Sequence, residues 1–343
     1  MRSSKSILLI LIFSIVLSLV ACKKKEEDNS YKIAFITDSE EINSYTRSGK
    51  IAKVLNTLAE NRKNIKVSTK ISDSDDNYID NIKRYVKNKY NLIVLNSYTM
   101  KKDVEIIAPL NENIKFLIFD SVIDPKLNNI ISISYKVNES SFLAGYLAAL
   151  ETKTNILGYI GFESGTLSDM YEFGFRAGVY EAAKELNKSI NIHIKRVNDL
   201  SDFKNGKKLA DEMYKNDVDI IYQTVGLTGL GVIESAKKNN KLVIGYDVEQ
   251  KDLAPENVLF STLKNYEKTA AATLSSYIDG ANAEGQNLFL GVKEDAVDIS
   301  TYNEKSKYSE ENYKKMQSKK NQILSGEITV PLDKDSYEKF INK

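Results

Sequence analysis

Cysteine and histidine are nearly absent from this sequence, which has one of each, Cys22 and His193, in 343 residues. A single cysteine excludes disulfides within the chain, so the fold has to be stabilised by its hydrophobic core. These two residues cannot supply the three or four nitrogen or sulfur ligands of a zinc site. Isoleucines at 190, 192 and 194 alternate with His193, which predicts a solvent-facing imidazole and argues against Ser-His-Asp or Cys-His catalysis.

An excess of one charge is also missing. The chain has 48 lysines and arginines against 47 aspartates and glutamates, and removing residues 1–21 takes away two positive charges, so +1 becomes −1. Nucleic-acid-binding proteins show a clustered basic excess, so no nucleic-acid partner is expected. A Walker A motif is absent too, because Ser48-Gly49-Lys50 lacks the upstream glycine and the following serine or threonine. No cofactor is predicted.

The start of the chain predicts a targeting segment. An apolar run at 7–21 is long enough for the core of a signal peptide and short for a membrane-spanning helix. It ends in LVAC, a lipoprotein box in which the Cys22 thiol takes diacylglycerol; ordinary cleavage and an uncleaved anchor are the alternatives. We expect a lipoprotein signal peptide at 1–21, lipidation at Cys22, a solvated tether at 22–30, and an exported protein anchored on the cell membrane, in the periplasm or on the outer face.

After the tether, short β-branched or aromatic runs alternate with helical patterns. Several runs are apolar at consecutive positions, as strands covered by helices on both faces must be. This alternation predicts an α/β protein with parallel, doubly wound sheets. The predicted strands are 32–37, 64–69, 91–96, 115–120, 129–135, 155–162, 191–197, 218–224, 241–247, 257–262 and 287–292.

The alternation comes in two successive sets of similar size, which predicts two lobes. We assign 31–136 and about 264–286 to an N-terminal lobe, and 137–263 and about 287–343 to a C-terminal lobe. In such sheets ligands bind beyond the carboxyl ends of the strands, which with two lobes means the cleft between them.

Polar residues that close predicted strands are therefore the first candidates for a site. They are Asp38, Asp120, Gln223 and Asp247. Paired carboxylates such as Asp120 with Asp124, or Asp247 with Glu249, serve equally well for acid–base chemistry or as clamps for sugar hydroxyls.

A glycine-rich stretch, VGLTGLGVIESA, follows a predicted strand and precedes a predicted helix. Gly226, Gly229 and Gly231 are spaced as GxxGxG rather than the GxGxxG of dinucleotide-binding folds. A phosphate cradle is one interpretation, and a loop whose backbone lines a ligand cleft is the other.

Five blocks of sequence, in order, resemble the basic membrane protein family of PnrA-like lipoproteins, which are substrate-binding components of ABC transporters. The resemblance implies a type I periplasmic-binding-protein fold, with two lobes joined by a hinge, that binds a purine nucleoside without turnover. It implies ABC permease and ATPase subunits as partners and a monomeric receptor. The blocks are KFLIFDSVIDPKLNNIISISYKVNESSFLAGYLAAL, YEFGFRAGVYEA, DIIYQTVGLTGLGVIESAKK, LVIGYDVEQKDLAPENVLFSTLK and LFLGVKEDAV.

Members of that family hold the ribose with acids and a lysine. Carried over by matching motifs, these residues are Asp38, Asp120, Asp247 and Lys264. The glycine-rich loop of the family matches the stretch that begins at Gly226, although Leu227 stands where the family has a second glycine.

The family holds the base between two aromatic rings, and here this sequence departs from it. In SEEINSYTRSG, Tyr45 matches the first ring and Thr46 replaces an asparagine that bonds the base edge. In NDLSD, Leu200 replaces the second ring, with Phe203 as a substitute nearby. The departures leave a second class of function open, a surface lipoprotein with drifted ligand specificity that acts as an adhesin or sensor. A nucleoside hydrolase comes third.

Overall fold

The computed structural model describes residues 29–38, 42–43, 46–72, 77–280 and 285–343. The expectations for the signal peptide, for lipidation at Cys22, for most of the tether and for the Tyr45 ring concern residues outside this set. The strands are β1 (Tyr31–Thr37), β2 (Ile65–Ile71), β3 (Leu92–Leu95), β4 (Lys115–Phe119), β5 (Ile130–Tyr135), β6 (Ile156–Phe162), β7 (Asn191–Val197), β8 (Ile220–Gln223), β9 (Leu242–Gly245), β10 (Val258–Lys264), β11 (Asn287–Leu290) and β12 (Val297–Ile299).

Helices connect most of these strands. They are α1 (Arg47–Asn61), α2 (Tyr78–Lys87), α3 (Lys101–Ile107), α4 (Val137–Glu151), α5 (Thr166–Leu186), α6 (Phe203–Lys215), α7 (Thr228–Asn239), α8 (Tyr266–Ile278), α9 (Glu310–Ser325) and α10 (Lys334–Ile341). None of the helices in the described part of the chain is long and apolar enough to cross a membrane.

The strands form two six-stranded sheets of the same design. The first has the order β11-β5-β4-β3-β1-β2 and the second the order β12-β10-β9-β8-β6-β7. Among the described residues, every strand pairing is parallel except that of β10 with β12. Most residues of the central strands are buried, and LIVL of β3 is buried along its whole length, because helices cover both faces. The predicted α/β fold with two doubly wound sheets is confirmed.

One predicted lobe boundary is wrong. The strand at 287–290 pairs with β5 of the first sheet, with Asn287 opposite Ser132 and Leu290 opposite Tyr135, whereas residues from about 287 were expected in the C-terminal lobe. The apolar pattern of this segment predicts a strand. It does not predict which of the two sheets an edge strand joins. The chain therefore passes between the sheets three times, after β5, after β10 and after β11.

The helix α4 is buried on nearly its whole surface rather than on one face. Twelve of its fifteen residues are buried, because it lies between the second sheet and the helices α5 and α9. Close contact with α5 depends on glycine: a Cβ at Gly178 would lie 1.9 Å from the carbonyl oxygen of Phe142. The helix begins at Val137, and the amide of Asn138 in its first turn donates to the Val330 carbonyl.

Candidate functional site

Strand ends from both lobes meet at one buried lysine. Asp120 directly follows β4, Asp247 lies two residues after β9, and Lys264 is the last residue of β10. The Lys264 Nζ lies 2.8 Å from Asp120 Oδ1 and 2.9 Å from Asp247 Oδ2. A cation from the second sheet is thus shared between one acid of each lobe.

The two acids occupy equivalent places in the two sheets. β4 and β9 have the same position in the strand order, and both acids adopt a left-handed backbone, with φ of 54° at Asp120 and 63° at Asp247. Aspartate tolerates this conformation better than most residues, and non-glycine residues with positive φ concentrate at functional sites. The repeated turn aims both carboxylates at the space between the lobes, where Lys264 lies.

Burial and charge act in opposite directions on this cluster. The side chains of Lys264 and Asp120 are only 3% and 6% exposed. Burial alone would raise the pKa of the Asp120 carboxyl, but Lys264 and Arg47 outweigh it and hold that pKa below its ordinary value of 3.8. Burial would lower the pKa of Lys264, but Asp120 and Asp247 raise it above 10.5. Lys264 and Asp120 are therefore both charged at neutral pH.

Two tyrosines complete the hydrogen bonding of the acids. The Tyr266 hydroxyl donates to Asp120 Oδ2 at 2.8 Å, and the Tyr171 hydroxyl donates to Asp247 Oδ1. Burial, together with the nearby carboxylates, raises the pKa of both phenols well above 10, so they stay protonated donors. The Lys264 ammonium also lies 5.5 Å from the ring centre of Tyr135.

Asp38, the acid that closes β1, joins the cluster through Arg47, which is not among the predicted site residues. Nη2 of Arg47 lies 2.8 Å from Asp38 Oδ2, and its Nη1 lies 3.5 Å from Asp120 Oδ2. Asn96, at the end of β3, also donates to Asp38 Oδ1 at 3.3 Å. The only sequence signal for Arg47 is that it directly follows Thr46 in the stretch expected to face the base.

Thr46 is the N-cap residue of the helix α1. Its Oγ1 accepts a hydrogen bond of 3.1 Å from the Gly49 amide and so caps the N-terminus of α1. The same hydroxyl donates to the Asn43 carbonyl. A contact between Thr46 and a ligand remains a prediction, and it would have to be made in addition to the cap.

The loops after β7 and β8 bring Leu200 and Gly226 together. Gly226 has a φ of 56°, and a Cβ there would lie 2.9 Å from the Leu200 carbonyl oxygen, so the close approach requires glycine. Leu227 is 61% exposed and Leu200 is 37% exposed. The two leucines present aliphatic surface at the carboxyl edge of the second sheet.

The other two glycines of this stretch serve packing inside the second lobe. Both lie in the helix α7, where a Cβ at Gly229 would lie 2.0 Å from Gln223 Oε1 and one at Gly231 would lie 2.0 Å from the Phe203 carbonyl oxygen. The phosphate-cradle interpretation is therefore not favoured. Gln223 is fully buried and donates to Gln250 Oε1, so it supports the loop rather than facing the cleft.

A groove of about 550 Å³ lies elsewhere, between α1 and α8 on the outside of the first sheet. Its rim carries surface ion pairs such as that of Lys53 with Glu267, at 2.8 Å. None of Asp38, Asp120 or Lys264 lines it. We place the candidate site at the strand ends, because buried charges are concentrated there.

In the described part of the chain, no three His, Cys, Asp or Glu side chains are grouped so as to hold a metal ion. His193 is exposed on β7, as the alternation of the isoleucines predicts.

The cluster holds three carboxylates, two cations and two phenol donors. Such an arrangement can accept hydrogen bonds from ligand hydroxyls on both lobes.

Comparison with known proteins places the chain in a family. The family described as ABC transporter substrate-binding protein PnrA-like matches residues 33–334. Basic membrane protein A of Borreliella burgdorferi is 30% identical over 347 residues, covering 99% of both chains. Basic membrane protein D of the same species is 36% identical over 242 residues, covering 68% of this chain and 69% of the relative.

Solved structures agree on the fold. A solute-binding protein of an ABC transporter system from Aeropyrum pernix K1 superposes with a TM-score of 0.76 at 19% identity, covering 91% of this chain and 96% of the other. A transcriptional activator of the comK gene from Bacillus halodurans reaches 0.73, also at 19% identity, covering 88% and 99%. Sequence and fold together show that this chain belongs to the PnrA-like family of ABC transporter substrate-binding proteins.

Proposed function

We propose that this protein is the lipid-anchored receptor of an ABC importer and that it binds a purine nucleoside between its two lobes. The observation that carries the proposal is the cluster of acids at the strand ends, in which Lys264 pairs with Asp120 and Asp247, one acid of each sheet, and Arg47 links Asp38 to Asp120. Carboxylates that accept from vicinal hydroxyls make strong, charge-assisted hydrogen bonds, and a ribose presents two such hydroxyls.

In this proposal, the protein functions by closing its two lobes on the ligand. Ligand contacts made by both lobes stabilise the closed state, and the permease recognises that state. Lys264 ends β10, where the chain leaves the second sheet in the second of its three crossings, just before α8, and it contacts an acid of each lobe. A ligand that binds Asp120 and Asp247 therefore lies beside the segments that connect the lobes. A small rotation about these segments moves one lobe relative to the other.

Base recognition is the weaker part of the site. Leu200 and Leu227 are aliphatic, so the second lobe offers dispersion contacts in place of one aromatic stack and loses part of a stacking contribution of roughly 1–3 kcal/mol per base, by analogy with nucleic-acid platforms. This observation also favours the second candidate, a receptor of the same fold with a drifted ligand that serves as an adhesin or sensor.

A binding panel separates these functions. A soluble form that begins at Lys23 is washed in urea on a column, refolded, and heated with purine nucleosides, pyrimidine nucleosides, free bases and pentoses. We expect purine nucleosides to raise the melting temperature most, since ligand at 100 times its Kd adds about 2.7 kcal/mol of stability. Chromatography after incubation should show intact nucleoside, because a receptor releases no free base.

The outcomes of the panel are distinct. No shift with any nucleoside overturns the nucleoside assignment and favours the drifted receptor. Release of free base shows a hydrolase instead. A nucleoside found by mass spectrometry in the urea wash of protein purified from its own source supports import and counts against the adhesin.

The lipid anchor is tested separately in the full-length chain. We expect the wild type to fractionate with membranes and to incorporate labelled palmitate, because the lipobox at 19–22 presents Cys22 for acylation. Cys22→Ala should lose the label and leave the membrane fraction, while Lys24→Ala should behave as the wild type. A Cys22→Ala chain that keeps the label refutes anchoring at this residue.

A further inference from the structure

Arg47 places a guanidinium on the two carboxylates that the proposed function assigns to the ribose. It contacts Asp38 Oδ2 at 2.8 Å and Asp120 Oδ2 at 3.5 Å. The two acids follow β1 and β4, which are separated by β3 in the sheet, so the guanidinium spans the gap between two strand ends. Two acids of the first lobe are thereby joined by a cation of the same lobe.

A ribose needs the same carboxylate oxygens. Asp120 has little spare capacity, since Lys264 Nζ bonds its Oδ1 at 2.8 Å and the Tyr266 hydroxyl donates to its Oδ2, also at 2.8 Å. A carboxylate accepts through about four lone-pair positions, and each ribose hydroxyl requires one of them in a suitable direction. Tyr266 occupies one of the two lone pairs of Oδ2 and Arg47 faces the other, so a ribose hydroxyl that approaches this oxygen competes with Arg47 for the same position.

Arg47 is the cation that is able to leave. Its side chain is 21% exposed and extends from the first residue of α1, whereas Lys264 is 3% exposed and is held by acids of both lobes. Departure of Arg47 leaves Asp38 and Asp120 charged and partly desolvated, which strengthens their hydrogen bonds to incoming hydroxyls.

We propose that Arg47 is a specificity-determining residue that competes with the ligand's ribose for Asp38 and Asp120. This inference rests on the proposed function and deepens it. Only ligands that use these acids have to displace the guanidinium, so Arg47 lowers the affinity for ribosyl ligands and leaves the affinity for free bases unchanged. The apparent Kd of a nucleoside rises in inverse proportion to the fraction of protein in which Arg47 has left the acids.

Calorimetric titration of the soluble chain tests the competition. Arg47→Gln should bind a purine nucleoside and D-ribose roughly tenfold more tightly than the wild type, and the free purine base with the same affinity. Arg47→Lys keeps the charge but lacks the planar fork that spans two carboxylates, so its affinities should fall between the two. An unchanged or weaker nucleoside affinity in Arg47→Gln, or an equal gain for the free base, overturns the inference.

A second measurement needs no nucleoside. Methylguanidinium at low millimolar concentration should raise the melting temperature of Arg47→Ala and not that of the wild type, because the ion fills the place between Asp38 and Asp120. Absence of that rise overturns the competition whatever the ligand is. A rise combined with no nucleoside binding by any variant overturns the proposed function and leaves the exchangeable cation position standing.

Discussion

Replacing Lys264 with methionine should lower the free energy of unfolding by roughly 3–5 kcal/mol, the usual cost of removing one partner from a buried ion pair. The Lys264 ammonium lies 2.8 Å from Asp120 and 2.9 Å from Asp247, and its side chain is almost fully buried. Methionine has a similar length and no charge, so the variant leaves the Asp120 carboxylate buried without the cation that Lys264 supplies. Urea unfolding followed by far-UV circular dichroism measures the loss.

The chain contains a matched control for this substitution. Lys268 lies four residues later and forms an ion pair of 2.6 Å with Asp295, but both side chains are more than half exposed. Lys268→Met should change stability by less than about 1 kcal/mol. Adding Asp120→Asn to Lys264→Met should recover part of the loss, because the buried charge is then removed. Equal effects of Lys264→Met and Lys268→Met contradict a buried ionic centre.

Asp247→Asn should weaken purine nucleoside binding at least roughly 100-fold, which corresponds to about 2.7 kcal/mol. The substitution removes the charge that faces Lys264 and replaces one of the two carboxylate oxygens, which accept from Lys264 and Tyr171, with an NH2 donor. Asparagine tolerates the left-handed backbone at this position, where φ is 63°, so the change tests chemistry rather than backbone strain. Isothermal titration calorimetry gives the affinity.

Asp295→Asn is the corresponding control. Asp295 also has a positive φ, of 55°, and pairs with a lysine, but it lies in an exposed ion pair away from the strand-end acids. Its substitution should leave nucleoside affinity unchanged. If Asp247→Asn binds as tightly as Asp295→Asn does, Asp247 does not belong to the ligand site.

The acids of the site could be predicted from the sequence because the ends of strands can be recognised in it. Asp38, Asp120 and Asp247 each follow an apolar run, and the carboxyl ends of parallel strands face the same cleft. Lys264 came from the resemblance alone, since a lysine at the end of a strand is not unusual. The structure brings Asp120, Asp247 and Lys264 into direct contact and links Asp38 to them through Arg47.

Tyr171 and Arg47, which contact these acids, could not be predicted from the sequence in this way. Tyr171 precedes Asp247 by 76 residues and reaches it from the helix α5 of the same lobe. Arg47 contacts Asp120 across the strand β3, and this depends on where α1 begins and on the direction of a long side chain. Nothing local in the sequence distinguishes these residues from other tyrosines and arginines.

By itself the sequence determined the alternating α/β architecture, the division into two sheets and the chemistry at the strand ends. These follow from periodicity and from residue types next to one another, which are local properties. Only the tertiary structure decided that β11 returns to the first sheet, that Gly229 and Gly231 serve helix packing, and that Arg47 lies on the acids. These features depend on contacts between segments far apart in the chain, which a local pattern does not encode.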